Sequence, residues 1–209
     1  KTPSCTEALL RSGIERVIVG SLDPQFNGKN LAILRDHGLE VQYFDHPDCA
    51  ELNPFFPKFI TTKTPYLTLK VAQSLNGKIT GRKPYITNAK SRAIVHQMRS
   101  KYTGILTTTK TIREDDPQLN CRYVGGSNPD LIILGQRSRI PAHAKIWKGG
   151  ERKFHFFERQ PLREILKSCG KLGIDSLMTE CGSTLATALV AENLVDEIQL
   201  FIAPHIIKE

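Results

Sequence analysis

The sequence lacks long apolar runs, closely spaced cysteines and a signal peptide. In its 209 residues, no apolar stretch approaches the roughly 18 to 20 residues that a membrane-spanning helix needs. No cleavable signal pattern opens the chain. The five cysteines are scattered and form no CxxC pair, which argues against a disulfide framework and against a self-contained zinc site. We therefore expect a soluble, cytoplasmic protein with no membrane partner.

Blocks of basic residues are also missing, although the formal net charge is +8. Lysines and arginines are spread along the chain, and aromatic residues make up only 7% of it. Proteins that bind single-stranded nucleic acid combine a basic groove with aromatic stacking residues. We predict no nucleic-acid partner, and the positive charge favours an anionic small molecule instead.

The order of the predicted elements indicates an α/β protein, because short apolar runs alternate with helical patterns. The first part predicts helix 7–12, strand 16–20, helix 31–36 and strand 39–43. Later segments predict strands 66–72, 104–108, 131–134, 176–179 and 197–203, and helices 88–101, 162–168 and 185–192. Residues 46–63 are rich in proline and phenylalanine, which predicts a docked connector without periodic structure. The domain boundaries are placed at 1–45, 46–63 and 64–209.

Residues 107–122 are predicted to form a polar loop after the buried strand 104–108. Because ligands of open α/β sheets bind beyond the carboxyl ends of strands, this loop is a candidate wall of an active site. Asp115 and Asp116 are adjacent carboxylates before Pro117, with Arg113 and Arg122 nearby. Such a pair can protonate or orient a phosphorylated substrate. The alternative is a solvated Asp-Asp-Pro turn.

A second candidate site follows the predicted strand 176–179, where Glu180 and Gly182 precede a predicted helix. Glycine and hydroxyl residues at a helix N-terminus favour anion binding, because unpaired backbone N–H groups point at the ligand. A plain N-cap at Ser183 or Thr184 explains the same residues.

Five ordered segments resemble one known family. They are PYLTLKVAQSLNGK (65–78), PYIT (84–87), TIREDDPQLNCR (111–122), TECGSTL (179–185) and LVDE (194–197). Together they resemble the reductase domain of the bifunctional riboflavin-biosynthesis deaminase-reductase. The opening residues 1–6 resemble the loop that carries the last zinc cysteine of that family's deaminase domain. The resemblance implies a dihydrofolate-reductase-like domain, preceded by the end of a cytidine-deaminase-like α/β domain, in a chain that is incomplete at both ends.

The resemblance also implies an activity and a set of site residues. The activity is NADPH-dependent reduction of the ribosyl group of 5-amino-6-(5-phosphoribosylamino)uracil to ribityl. Asp115 or Lys70 is the implied proton donor, and Arg99 and Arg122 are expected to hold the phosphate. The implied cofactor residues are Tyr85, Thr111, Asp115, Gly182, Ser183, Thr184 and Leu185. The implied substrate residues are Lys70, Lys83, Arg99, Leu119, Arg122 and Glu180.

Departures from the family pattern leave several points open. Lys83 stands where the family usually has serine, and Tyr85 stands where it usually has tryptophan. Of the deaminase zinc ligands, Cys5 alone has a match, so zinc and deamination are expected only if the missing ligands exist in a longer chain. The alternatives are a dihydrofolate-reductase-like oxidoreductase of other specificity and a non-catalytic nucleotide-binding module. A homodimer and a homotetramer both remain open, as does the face of the nicotinamide that is used.

Overall fold

The computed structural model describes residues 4–80, 86–122 and 125–208. Its contacts divide the chain into two compact units, Lys1–Lys63 and Thr64–Glu209. Within the described ranges, no helix combines the length and hydropathy needed to cross a lipid bilayer.

The first unit contains a small parallel sheet with helices. Its elements are α1 (Cys5–Arg11), β1 (Arg16–Val19), α2 (Lys29–Asp36), β2 (Glu40–Tyr43), α3 (Pro47–Glu51) and α4 (Phe55–Thr62). β1 and β2 pair in parallel, as predicted. The absence of periodic structure predicted for 46–63 is wrong, because this segment forms α3 and α4. Pro47 stands in the first turn of α3, where a missing N–H costs nothing. The assignment of residues 1–45 to a deaminase-like domain stays a prediction.

The second unit is built on a six-stranded sheet in which every pair of neighbouring strands is parallel. Its elements are β3 (Tyr66–Ser74), α5 (Ala89–Arg99), β4 (Gly104–Thr108), α6 (Thr109–Asp115), β5 (Asp130–Leu134), β6 (Phe154–Phe157), α7 (Leu162–Lys171), β7 (Ser176–Thr179), α8 (Ser183–Ala191) and β8 (Glu197–Ala203). The strand order is β6-β5-β4-β7-β3-β8. The carboxyl ends of all these strands therefore lie at one edge of the sheet, and the α/β class is confirmed.

The core of this unit lies between the central strands and the helices α7 and α8. Leu67, Leu106 and Leu177 are almost completely buried in β3, β4 and β7 and share a cluster with Ile165 of α7 and Leu189 of α8. Parallel strands covered by helices read as nearly continuous apolar runs, which is why β4, β5 and β7 could be predicted from the sequence.

The segment predicted as a loop at 107–122 is partly helical, because residues 109–115 form α6. The side-chain oxygen of Thr108 accepts a hydrogen bond from the backbone N–H of Thr111 at 3.0 Å, and this N-cap starts the helix. The helix ends at Asp115, and Asp116 has a left-handed backbone with φ 41°. Pro117 accounts for the ending, since a residue before proline is disfavoured in the helical conformation.

Candidate active site

The carboxyl ends of β4 and β7 lie side by side, with Leu106 opposite Thr179. The backbone N–H of Glu180, the first residue after β7, donates to the carbonyl of Leu106 at 3.0 Å. Glu180 is therefore fixed at the edge of the sheet where ligands of α/β proteins bind.

Glu180 forms a nearly buried ion cluster with Arg99 of α5 and Lys70 of β3, here named the Glu180 cluster. Arg99 Nε donates to Glu180 Oε1 at 2.6 Å and Arg99 Nη2 donates to Oε2 at 3.0 Å. Lys70 Nζ donates to Oε2 at 3.3 Å. Burial raises the pKa of Glu180, but the positive charges and hydrogen bonds of Arg99 and Lys70 lower it by a larger amount, so the pKa is about 2. The carboxylate is ionised and immobilised.

The third donor of Arg99 connects this cluster to residues 117–122, named here the 117–122 loop. Arg99 Nη1 donates to the carbonyl of Asn120 at 3.1 Å. In the same loop Leu119 is buried and Arg122 is exposed. Arg122 Nη1 donates to Gln118 Oε1 at 3.2 Å and to Asn120 Oδ1 at 3.1 Å. The structure thus brings together Lys70, Arg99 and Glu180 directly, and connects Leu119 and Arg122 to them through the loop.

His96 joins the same region and was not singled out from the sequence. It is 3% exposed and makes a hydrogen bond with the backbone of Asn120. Burial, Arg99 and Arg122 lower the pKa of His96 to about 4, so the ring is neutral at pH 7. The sequence contains one feature that could have predicted this placement: His96 stands three residues before Arg99, and residues at that spacing share a helix face.

Asp115 and Asp116 have different surroundings. The carboxylate of Asp116 accepts a hydrogen bond from the backbone N–H of Lys145 at 2.8 Å and lies 3.3 Å from Lys145 Nζ. These contacts hold the pKa of Asp116 below its ordinary value. Asp115 is an exposed residue; its partial desolvation, followed by the charge of Glu114, raises its pKa. Adjacent carboxyls with opposite shifts are suited to different roles.

The N-terminus of α8 is open to an anion. Its N-cap is Gly182, which makes no side-chain capping bond, so the alternative interpretation of a plain cap at Ser183 or Thr184 is wrong. A Cβ atom placed on Gly182 would meet no atom within 4 Å. Ser183 and Thr184 are exposed in the first turn, whereas Leu185 is buried. Backbone N–H groups in such a turn can bind a phosphate group.

Two buried hydroxyl groups lie near this edge. Thr107 Oγ1 and Thr179 Oγ1 have no hydrogen-bond partner within the described parts of the chain, and they belong to the next-to-last residue of β4 and the last residue of β7. Thr111, in the first turn of α6, has its hydroxyl 3.0 Å from Thr108 Oγ1. Thr107 and Thr179 are both fully buried, so their hydroxyls are not exposed to a ligand in this structure.

Three further residues were predicted from the resemblance. Tyr85 and Lys83 lie outside the described residues. Cys5 is exposed, and the parts of the chain that the structure describes contain no group of three or more His, Cys, Asp or Glu side chains that could hold a metal ion. Cys5 by itself does not make a zinc site, so no zinc chemistry is assigned to these residues.

The parallel sheet with helices defines the class of the second unit as α/β. Its sheet edge combines an open helix N-terminus with a nearly buried ion cluster. Residues 65–207 match the RibD C-terminal domain family, and the chain belongs to this family. The predicted resemblance is thereby confirmed.

Individual relatives agree with this assignment. The riboflavin biosynthesis protein RibD of Aquifex aeolicus is 36% identical over 237 residues, covering 100% of this chain and 67% of the relative. The structure of Acinetobacter baumannii RibD has a TM-score of 0.86 at 32% identity, over 100% of this chain and 66% of that one. A Thermotoga maritima diaminohydroxyphosphoribosylaminopyrimidine deaminase/5-amino-6-(5-phosphoribosylamino)uracil reductase has a TM-score of 0.87 at 28% identity, over 100% and 65%. The chain spans about two thirds of the length of these relatives.

Proposed function

We propose that the second unit reduces the ribosyl group of 5-amino-6-(5-phosphoribosylamino)uracil to ribityl with NADPH. The observation that carries this proposal is the short distance along the chain between two kinds of site. Glu180 belongs to a charged cluster suited to a polar substrate, and Gly182, two residues later, opens a helix N-terminus suited to a dinucleotide phosphate. A substrate and a cofactor that bind on either side of residues 180–182 would be close enough to react.

The residues present fit a bound NADPH. Residues 182–185 would hold a phosphate group of the cofactor, and Thr111 would contribute from the first turn of α6. When bound, the cofactor supplies a hydride for C1 of the opened sugar. The protein has to bind the sugar phosphate, orient C1 and deliver a proton to the imine nitrogen.

Asp115 is the proton donor in this proposal. Its raised pKa keeps the carboxyl protonated to a higher pH than an ordinary aspartate, as a general acid requires. Lys70 is the weaker candidate, because its ammonium group already donates to Glu180. Arg122, with its exposed guanidinium, would hold the phosphate. Arg99 is buried and occupied by Glu180 and Asn120, so we assign it the positioning of Glu180 and a weaker share of the phosphate.

A comparison of two adjacent variants tests the proposal. With NADPH and the phosphoribosylaminopyrimidine as substrates, Asp115→Asn should lower kcat on the order of 10²- to 10⁴-fold, the usual contribution of a general acid. The KM for NADPH should stay near the wild-type value. In the wild type, turnover should fall as pH rises through the raised pKa of Asp115, because the acid form is then lost.

Asp116→Asn is the matched control. It removes a carboxylate that is held by Lys145, so it should reduce thermal stability slightly and leave kcat near the wild-type value. Equal turnover in Asp115→Asn and wild type would remove Asp115 from the mechanism. NADPH binding without any turnover in the wild type would favour the non-catalytic module.

The other expectations of the sequence stay predictions. The deaminase named in the relatives would need zinc ligands besides Cys5. The homodimer or homotetramer, the cytoplasmic location and the absence of nucleic-acid and membrane partners are predictions of the same kind.

A further inference from the structure

Arg152 lies beneath the 117–122 loop and binds only carbonyl groups among the described residues. Its Nη1 donates to the carbonyl of Leu119 at 2.5 Å, and its Nη2 donates to the carbonyls of Gln118 at 2.6 Å and Ile146 at 2.9 Å. The guanidinium also lies 5.5 Å from the ring centre of Phe154. Burial and then the charge of Arg99 lower the pKa of Arg152 to about 10, so the side chain is still charged at pH 7.

A partly buried cation whose partners are carbonyl groups instead of a carboxylate is not the arrangement expected from stability alone. Gly149 makes room for it, since a Cβ atom there would clash with the guanidinium. The guanidinium has donors in a rigid planar fork, which suits several converging carbonyl groups better than an ammonium group does. This arrangement points to a requirement for a particular shape of the 117–122 loop.

The loop is held in an uncommon conformation. Leu119 has φ 47°, a left-handed backbone that side-chain-bearing residues rarely adopt. Arg152 binds the carbonyls of Gln118 and of Leu119 itself. A second residue also holds the loop: the backbone N–H of Cys121 donates to Asn128 Oδ1 at 3.0 Å, and Asn128 Nδ2 donates to the carbonyl of Gly149 at 3.1 Å. The strained turn is therefore held by two side chains, Arg152 and Asn128.

The fixed loop in turn orients the guanidinium group of Arg122. The side-chain oxygens of Gln118 and Asn120 accept hydrogen bonds from Arg122 Nη1, and Arg152 and Arg99 hold the backbone carbonyls of these same two residues. We propose that Arg152 is a positioning residue that sets the 117–122 loop so that Arg122 can bind the phosphate of a phosphorylated sugar. This proposal rests on the proposed function, because that function supplies the phosphorylated substrate.

Three variants of the intact protein test this role. Arg152→Met removes the donors and keeps much of the volume, and Arg152→Lys keeps a charge and part of the carbonyl bonding. Arg163→Met is the matched control. Arg163 is an exposed residue of α7, and it also donates to a backbone carbonyl, that of Glu192 at the end of α8. Each protein is titrated with ribose 5-phosphate by calorimetry and assayed for KM and kcat, with thermal unfolding recorded alongside.

The proposal expects a selective effect on phosphate binding. Arg152→Met should weaken ribose 5-phosphate binding and raise the KM for the pyrimidine substrate about tenfold, the effect of losing one well-aligned charged hydrogen bond. The KM for NADPH and kcat should stay near wild type. Arg152→Lys should recover part of the affinity, and Arg163→Met should match the wild type.

Other outcomes overturn the proposal. If Arg152→Met lowers thermal stability but leaves ribose 5-phosphate affinity unchanged, Arg152 has a structural role only. If Arg152→Met does not fold, unchanged affinity in Arg152→Lys leads to the same conclusion. A wild-type protein that does not bind ribose 5-phosphate also refutes the positioning role. A wild type that binds ribose 5-phosphate but oxidises no NADPH refutes the proposed function, while the titrations still decide the role of Arg152.

Discussion

Replacing Glu180 with glutamine would remove one negative charge from a nearly buried site and keep the shape of the side chain. The carboxylate is 11% exposed and its partners Arg99 and Lys70 are 10% and 17% exposed. The amide oxygen of glutamine can still accept a hydrogen bond. Two cations would nevertheless be left close together with their shared counter-charge gone.

Two independent arguments give the size of the effect. Removing one partner of a buried ion pair typically costs about 3 to 5 kcal/mol, because the remaining charge is uncompensated. The pKa of Glu180, lowered from 4.5 to about 2, corresponds to roughly 3 kcal/mol of stabilisation at neutral pH. For a protein of this size each kcal/mol changes Tm by about 2 to 4 °C. Glu180→Gln should therefore lower Tm by about 6 to 20 °C.

The pH dependence gives a sharper check. Because the pKa of Glu180 is lower in the folded state than in the unfolded state, its stabilisation is fully present above the unfolded pKa near 4.5 and disappears as pH falls through about 2. The difference in unfolding free energy between wild type and Glu180→Gln should shrink by roughly half between about pH 5 and pH 3. Urea denaturation at both pH values measures this difference.

Glu164→Gln is the control for the charge change itself. Glu164 pairs with Lys167 on the exposed surface of α7, where an ion pair contributes little, so this variant should melt close to the wild type. If Glu180→Gln has the same Tm as Glu164→Gln, the Glu180 cluster does not stabilise this edge of the sheet. The same conclusion follows if the loss of unfolding free energy in Glu180→Gln is equal at both pH values.

Two glycine positions give further predictions. Gly135→Ala should lower the unfolding free energy by about 1 to 3 kcal/mol in urea denaturation. The reason is that Gly135 has φ 123° and an added Cβ would lie 2.5 Å from Thr109 Oγ1. Gly125→Ala is the control and should be neutral, because a Cβ added at Gly125 would meet no atom within 4 Å. Gly182→Asp should raise the KM for NADPH about tenfold or more by placing a negative charge at the start of α8, whereas Gly182→Ala should not. Equal NADPH affinity in both Gly182 variants would indicate that the cofactor phosphate does not bind at the start of α8.

Much of the sheet could be predicted because buried parallel strands leave a direct signal in the sequence. β4, β5 and β7 are short apolar runs. Thr87 or Asn88 was the predicted cap of α5, and the structure selects Asn88, whose side chain accepts from the N–H of Ser91 at 3.0 Å. The predicted loop at 107–122 was wrong over residues 109–115, because a threonine cap was enough to start a helix in a polar segment. β6 was not predicted, since four residues rich in phenylalanine carry no period that separates a strand from a packed loop.

The sequence spacing of the site residues could not predict which of them lie together in the fold. Lys70 and Arg99 are 110 and 81 residues away from Glu180 in the chain, and they meet because β3 pairs with β7 across a crossover in the sheet. Only the resemblance to a known family singled them out together. Arg152 carried no signal at all, because its partners are backbone carbonyls, which every residue has.

The charges around the 117–122 loop support the proposed binding of an anion at this edge. Arg99 is close enough to lower the pKa of both Arg152 and His96, and Arg122 also lowers the pKa of His96. Glu180 compensates Arg99 and Lys70, whose donors occupy both of its carboxylate oxygens. The neutral state of His96 is therefore a consequence of the surrounding positive charge as well as of burial. In the proposed function, a phosphate group bound at Arg122 would add a negative charge near Arg99 and Arg152, whose mutual repulsion lowers the pKa of Arg152. We expect this charge to increase the affinity of the site for a phosphorylated substrate.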